Sequence, residues 1–371
     1  MSRDQEWMGR FEATAIRRGD DRRLCLARAI YQADSLRQTR PDEALQVVEQ
    51  ACQLAVQLQE PWWELFYRDR RAGLLMKYLG QVRAGLEQAV RNALRLHEPA
   101  FAQFPWRFRV LDLLVVGYLH TDPVGYAQQI REALDALQAE QPETGPGRYL
   151  VLARRRWLAA ECGQLEQAIA YAQQGLALAA GDADRLIAAS HAVFCYSNWC
   201  HSLWRLGLSG REAELLALAQ EGERLAGETG HRLECSEFQL WQALLARQDG
   251  HEATAQLLMR QAVDRVRRLG MLPDHLYFDA LCAFHLAGHE VETALAIRTQ
   301  ELTTLAGQGR LSAESRCRLQ RCRLLHRLGQ LSTGELQATR AVLEQLRHPE
   351  AALAEWLALQ ADQSPSQEAN R

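Results

Sequence analysis

Two stretches of this chain repeat one another at a spacing of 40 residues: His191, Cys195, Gly210 and Gly230 recur as His231, Cys235, Gly250 and Gly270. A second self-match, at 44 residues, sets Pro61, Trp62 and Gly73 against Pro105, Trp106 and Gly117. Glycines at 80, 163, 210, 250, 288 and 329 punctuate the same pattern, and the last four lie 40, 38 and 41 residues apart. Repetition at this length is the mark of stacked supersecondary units. Each unit is too small to bury its own apolar face and needs a neighbour.

The unit reads as two helices joined by a tight turn. Pro41, Asp42 and Glu43 open a helix with Val48, Ala51 and Leu54 on one face. Proline costs nothing in a first turn, where its missing N–H would be unpaired, and acids there meet the positive end of the helix dipole. After Gly250 come Ala255, Met259 and Ala262, and after Gly80 come Gly85, Ala89 and Asn92 at the same offsets. Small residues at those places let two helices approach closely. The longer gap from Gly163 to Gly210 carries extra residues around Ala180–Asp184, and that from Gly80 to Gly163 has room for a further unit turning near Asp122-Pro123. The predicted fold is all-α: a right-handed α-solenoid of about eight helical hairpins over residues 21–346. Capping helices are expected within 1–20 and 347–361. The polar tail 362–371, with its Ser-Pro-Ser, is expected to be disordered.

These residues resemble the tetratricopeptide repeat, in which paired helices A and B carry a small residue late in A, a glycine turn, and alanines at set places in B. Gly73 and Gly117 match the small helix-A position, and Ala44, Ala168 and Ala255 match the first helix-B alanine. The resemblance covers nearly the whole chain at a period longer than the family's usual ~34 residues. It is closer to long-repeat regulatory solenoids than to co-chaperone clamps. Residues 149–161 depart from it, since Arg154, Arg155 and Arg156 fall on expected core positions. The family's chaperone-tail clamp needs lysines and asparagines in helix A. Here Lys77 is the only lysine, and Asn92 and Asn198, the asparagines within the repeats, fall outside that pattern.

Charge narrows the functional classes. The formal net charge of −3 gives no general pull toward nucleic acid or acidic membranes. No apolar stretch is long enough to span a bilayer, and residues 1–21 lack the apolar core of a secretory signal. Nine cysteines without CxxC pairs fit reduced thiols, so a cytoplasmic location is expected. Phosphate-loop, dinucleotide, zinc-protease and serine-hydrolase motifs are all missing, so no catalytic residue and no cofactor is assigned. His191/Cys195 and His231/Cys235 have the i, i+4 spacing of a two-helix zinc set, yet packed repeat-equivalent positions explain them better, and no metal is assigned. His275, Asp279 and Cys282 share a helix face expected to meet solvent, which lacks the third group and oxyanion hole of nucleophilic catalysis.

The expected function is protein–protein interaction: an adaptor holding a peptide or helix of a partner in its concave groove. The alternative is a regulatory solenoid that responds to a peptide or small ligand and acts on another regulator. In the resembling family the A helices line the groove, so its residues are counted back from each turn glycine. The count gives Tyr67, Arg70, Arg71 and, beside them, Lys77; then Tyr118, His201, Trp204, Trp241, His275 and Asp279; and finally Arg316, Gln320, Arg323 and Arg327 at i, i+4, i+7 and i+11. This last stripe suits an acidic peptide, a carboxyl terminus or a phosphate. Equally, its arginines can pair with Glu335, Glu344, Glu350 and Glu355. Trp204 and Trp241 are either partner anchors or buried, depending on a one-residue register. Trp62, Trp63 and Trp106 read as core staples.

Overall fold

The computed structural model describes residues 3–140, 146–181, 184–270 and 273–361. The predicted tail, 362–371, lies outside them. Among the described residues there are eighteen α-helices, one 3-10 turn at Pro99–Phe101 and no strand. The fold is an all-α solenoid in which helices pack on their neighbours in the chain. The contacts group into two compact units, the first holding the helices before residue 142 and the second those after it, with short exchanges at 122–127 and 307–310.

The first unit begins with α1 (Arg3–Arg18), followed by α2 (Asp21–Leu36) and α3 (Pro41–Gln57), then α4 (Pro61–Lys77) and α5 (Val82–Arg95), then α6 (Arg107–Thr121) and α7 (Ala127–Ala139). Asp20 starts α2 by accepting the Arg23 N–H, and Pro41 and Pro61 sit in the first turns of α3 and α4. The core is aromatic. Trp63, Phe66 and Tyr67 of α4 are sealed from solvent with Phe101 and Phe104, and Trp7 of α1 lies 4.7 Å from the Trp63 ring. At Gly85 of α5 an added Cβ would stand 2.3 Å from Met76 Cγ and 2.9 Å from the Ala72 carbonyl oxygen. That contact explains the glycine at an offset that is alanine after Gly250.

The second unit contains α8 (Pro146–Glu161) and α9 (Leu165–Ala180), α10 (Arg185–Leu206) and α11 (Glu212–Thr229), α12 (Arg232–Gln248) and α13 (Glu252–Leu269). It continues through α14 (His275–Ala287) and α15 (Val291–Leu305), α16 (Leu311–Arg327) and α17 (Thr333–Leu343), and ends at α18 (Glu350–Ala361). Asp184, Asp274 and Ser332 cap α10, α14 and α17 through their side chains, meeting N–H groups that no helix turn can satisfy. Gly230 and Gly270 end α11 and α13 in the left-handed conformation that side chains with a Cβ resist. Repeat alanines are where close approach demands them: Ala168 and Ala255, like Ala44 in the first unit, are inaccessible to solvent. Among the described residues no helix is long and apolar enough to cross a membrane.

Candidate functional site

In the second unit a cavity of about 340 Å³ is lined by His201, Trp204 and Arg205 of α10, Asp279 of α14, and Arg316 and Gln320 of α16. These are the first helices of their hairpins. On α10, positions 201, 204 and 205 fall on one face by helical spacing. On α16, positions 316 and 320 do the same. One wall is aromatic, with tilted rings: Trp204 lies 5.5 Å from Trp241 and 5.7 Å from His201 between ring centroids.

Buried charge surrounds the cavity in two connected sets. His201 Nε2 donates to Asp279 Oδ2 at 2.8 Å, and Arg298 of α15 donates to Asp279 Oδ1 and to Glu301. Burial pushes the Asp279 carboxyl up, but the charge of Arg298, with His201 and Arg316, more than offsets this and holds it well below the usual carboxylate range. In the second set, Arg316 Nη1 donates to both carboxylate oxygens of Glu161, each at 3.1 Å. Burial there is again outweighed by Arg316, with His275 and Arg205 adding to it, and Glu161 is pulled down to about 2. Desolvation, then the Arg316 charge, lowers the His275 imidazole to about 4, so it is neutral at pH 7.

Two groups on the cavity wall are not used up by this network. Arg205 donates to the Ala160 carbonyl at 2.9 Å but makes no ion pair among the described residues. Burial lowers its pKa, against the opposing effect of the Glu161 charge. Gln320 Oε1 is buried with no hydrogen-bond partner. A buried acceptor left bare costs about 1–3 kcal/mol.

Of the residues expected to line a groove, His201, Trp204, Asp279, Arg316 and Gln320 are thus brought together, and His275 lies 5.8 Å from His201 between ring centroids. Several expectations need correction. Trp241 is 1% exposed, so the register that buries it is the one adopted, and it supports the Trp204 ring from behind. Asp279 and Cys282 do not face solvent. Both are buried, and the Cys282 thiol donates to the Ala294 carbonyl of the following helix. Arg316 lines the cavity while paired with Glu161, a partner outside the set expected for the stripe. Arg321 pairs with Glu335 and Arg323 with Glu355, as the internal-pairing alternative foresaw. Arg327 is exposed and makes no ion pair among the described residues.

The first unit scatters its share. Tyr67 is buried under the aromatic core, its hydroxyl donating to the Leu26 carbonyl at 2.5 Å, because α4 is packed against helices on several sides. Arg71 is half-buried and paired with Glu49 at 2.9 Å, and Tyr118 is half-buried. Arg70 lines a separate cavity of that unit. Trp62 donates to the Ala100 carbonyl, while Trp63 and Trp106 are buried as expected of staples.

The zinc-like set is dispersed among other partners. The Cys195 thiol lies 3.2 Å from the Tyr149 hydroxyl, and His231 Nε2 is 2.7 Å from Ser190 Oγ. Among the described residues no group of three or more His, Cys, Asp or Glu side chains is placed to hold a metal ion. Arg156, on a core position of the departing segment, is indeed buried, with its Nη1 on the Phe194 carbonyl.

Sequence reasoning missed Glu161, Arg205 and Arg298. Arg205 was within reach, standing four residues after His201 on the same face. Arg298 belongs to a second helix of its hairpin, which a count of first helices passes over. Compared with known proteins, the sequence matches no protein-family model and no curated protein.

Proposed function

We propose that the chain is a tetratricopeptide-like, cytoplasmic scaffold rather than an enzyme, and that its second unit holds a short acidic segment of a partner protein in the cavity between α10, α14 and α16. One observation carries this: Arg205 without an ion pair and Gln320 Oε1 without a donor converge on the same cavity beside the Trp204 ring. Arg205 calls for a carboxylate, Gln320 for an N–H, and Trp204 for a flat or aliphatic group. An aspartate or glutamate with its own backbone amide supplies the first two together. At about 340 Å³ the cavity is near the lower end of ligand pockets, roughly 300–1,000 Å³. It therefore takes one or two side chains and not a whole helix.

The test is selection of an acidic peptide library on the full chain, followed by titration of the peptides recovered. Arg205→Gln, Gln320→Leu and Trp204→Ala should each weaken binding by about 10-fold or more, the loss of about 1.4 kcal/mol, while Arg327→Gln leaves it unchanged. Equal binding by all four variants would refute the site.

A regulatory reading has its own support. Glu161, His201, Asp279, Arg298 and Arg316 come from four different hairpins and form one electrostatic neighbourhood. An occupant that draws Arg316 away from Glu161 alters how those hairpins hold together. Small-angle scattering with and without a selected peptide separates the two readings: compaction favours the sensor, an unchanged profile the adaptor.

A further inference from the structure

The first unit has a cavity of its own, also about 340 Å³, between α2, α4 and α6. Its floor is Asp69, which is 4% exposed. The Trp106 indole N–H donates to Asp69 Oδ2 at 3.0 Å, and Asp69 Oδ1 has no partner. Beside it the Arg70 guanidinium lies 5.4 Å from the Phe66 and Trp106 ring centroids, and its Nε is buried without an acceptor. Arg109, exposed on α6, reaches over Trp106 and makes no ion pair among the described residues.

The remaining charges facing the cavity decide its sign. On α2, Asp34 is shared by Arg37 at 3.2 Å and Arg70 at 3.4 Å, leaving that trio one positive charge in excess. Lys77 of α4 and Asp112 of α6 complete the wall, so four cations face three carboxyls. Burial raises the Asp69 carboxyl to about 6, which brings it within reach of protonation. A protonated Asp69 turns its bare oxygen from acceptor into donor. The buried unpartnered atoms of the cavity are then donors, Arg70 Nε–H and the Asp69 hydroxyl, and the exposed Arg109 guanidinium adds to them.

We propose that this cavity is a binding site for a small oxyanion, the carboxylate or phosphate group of a low-molecular-weight ligand, held by Arg70 and Arg109 with Asp69 hydrogen-bonded beneath it. The site is separate from the acidic-peptide cavity of the second unit and does not depend on it. Binding takes up a proton at Asp69, so affinity rises as pH falls toward 6.

Lys77 makes the test direct, because it is the only lysine in the chain. Its acylation in the full-length protein by an amine-reactive acetyl ester is followed by mass spectrometry with added inorganic phosphate, succinate, or chloride at equal ionic strength. Phosphate or succinate should slow the reaction several-fold with saturation, and chloride should not. Protection by phosphate alone identifies a phosphate-bearing ligand, and protection by succinate alone a carboxylate-bearing one. Protection should be lost in Arg109→Gln, an exposed position that tolerates change, and retained in Gln320→Leu. A calorimetric titration with sulfate, which does not itself titrate in this range, should show tighter binding at pH 5.5 than at pH 7.5. In Asp69→Asn that difference should vanish. No protection by either oxyanion, equal protection by chloride, or full protection in Arg109→Gln overturns the proposal.

Discussion

Helix α11 contains two glycines five residues apart in opposite surroundings, and alanine at each should move stability in opposite directions. At Gly222 an ideal Cβ would stand 2.3, 2.4 and 2.8 Å from three atoms of the Phe238 ring. Phe238 is itself inaccessible to solvent, so the ring has nowhere to retreat. At Gly227, exposed on the same helix, a Cβ meets nothing within 4 Å. Replacing a helical glycine by alanine gains about 0.5–1 kcal/mol in backbone entropy, whereas overpacking a close-packed core costs about 1–3 kcal/mol. For Gly222→Ala the balance is a loss of about 1–2 kcal/mol, a fall in Tm of about 2–8 °C for a unit of this size. Gly227→Ala should raise Tm by up to about 2 °C, the gain being reduced near the helix end. Scanning calorimetry of the full chain, following the transition of the second unit, reads both shifts. Adding Phe238→Leu to Gly222→Ala should recover at least about 1 kcal/mol relative to the sum of the single changes, as coupled neighbours do. If Gly222→Ala stabilises as much as Gly227→Ala, close approach of α11 and α12 is not what fixes this glycine.

Three further outcomes follow from the charge and hydrogen-bond geometry. Glu161 sits at about 2 against an ordinary 4.5, so its ionised form stabilises the fold above about pH 4.5 and that contribution is lost as pH falls through 2. Arg316→Met should remove roughly 3 kcal/mol at pH 7, leave Glu161 buried without its partner, and flatten the acid limb of a pH–denaturation series. An unchanged acid limb would count against the pair. Arg323→Glu and Arg327→Glu, both exposed, should each shift urea midpoints by no more than about 0.5 kcal/mol; a larger loss would mean that the stripe does more than pair at the surface. Tyr67→Phe removes the hydroxyl that donates to Leu26 and should cost the first unit about 1 kcal/mol in the same assay, with no change if the bond is absent in solution.

Turn positions were legible because turn glycines carry conformational information. Gly80, Gly163, Gly210, Gly250 and Gly329 all take positive φ, which a residue with a Cβ resists. Gly288 is the exception: its φ is −89°, and the left-handed position falls one residue later on His289. Groove residues were less legible. Counting back from a turn fixes a helix face only to about one residue, and the first helices are covered on several sides, which left Tyr67 and Trp241 in the core. The partner of Arg316 was invisible for another reason. Glu161 is 155 residues away in the chain, and no local pattern links them. Division into two units left no composition signal either, since the helices near the junction use the same alphabet as the rest.

Trp7 has a consequence for the order in which this chain takes shape. Its ring packs on Trp62, Trp63 and Phe66 of α4 and on Phe104 beyond α5, reaching past the hairpin that follows it in sequence. During synthesis at about 5–20 residues per second, Trp7 is made roughly 5–20 s before the last of those rings, Phe104. For that interval α1 has α2 and then α4 to pack on, but the side of its ring that meets Phe104 has no native surface to cover. Full burial of α1 is therefore completed late in its unit, once α4 and the segment after α5 have closed over the Trp7 ring.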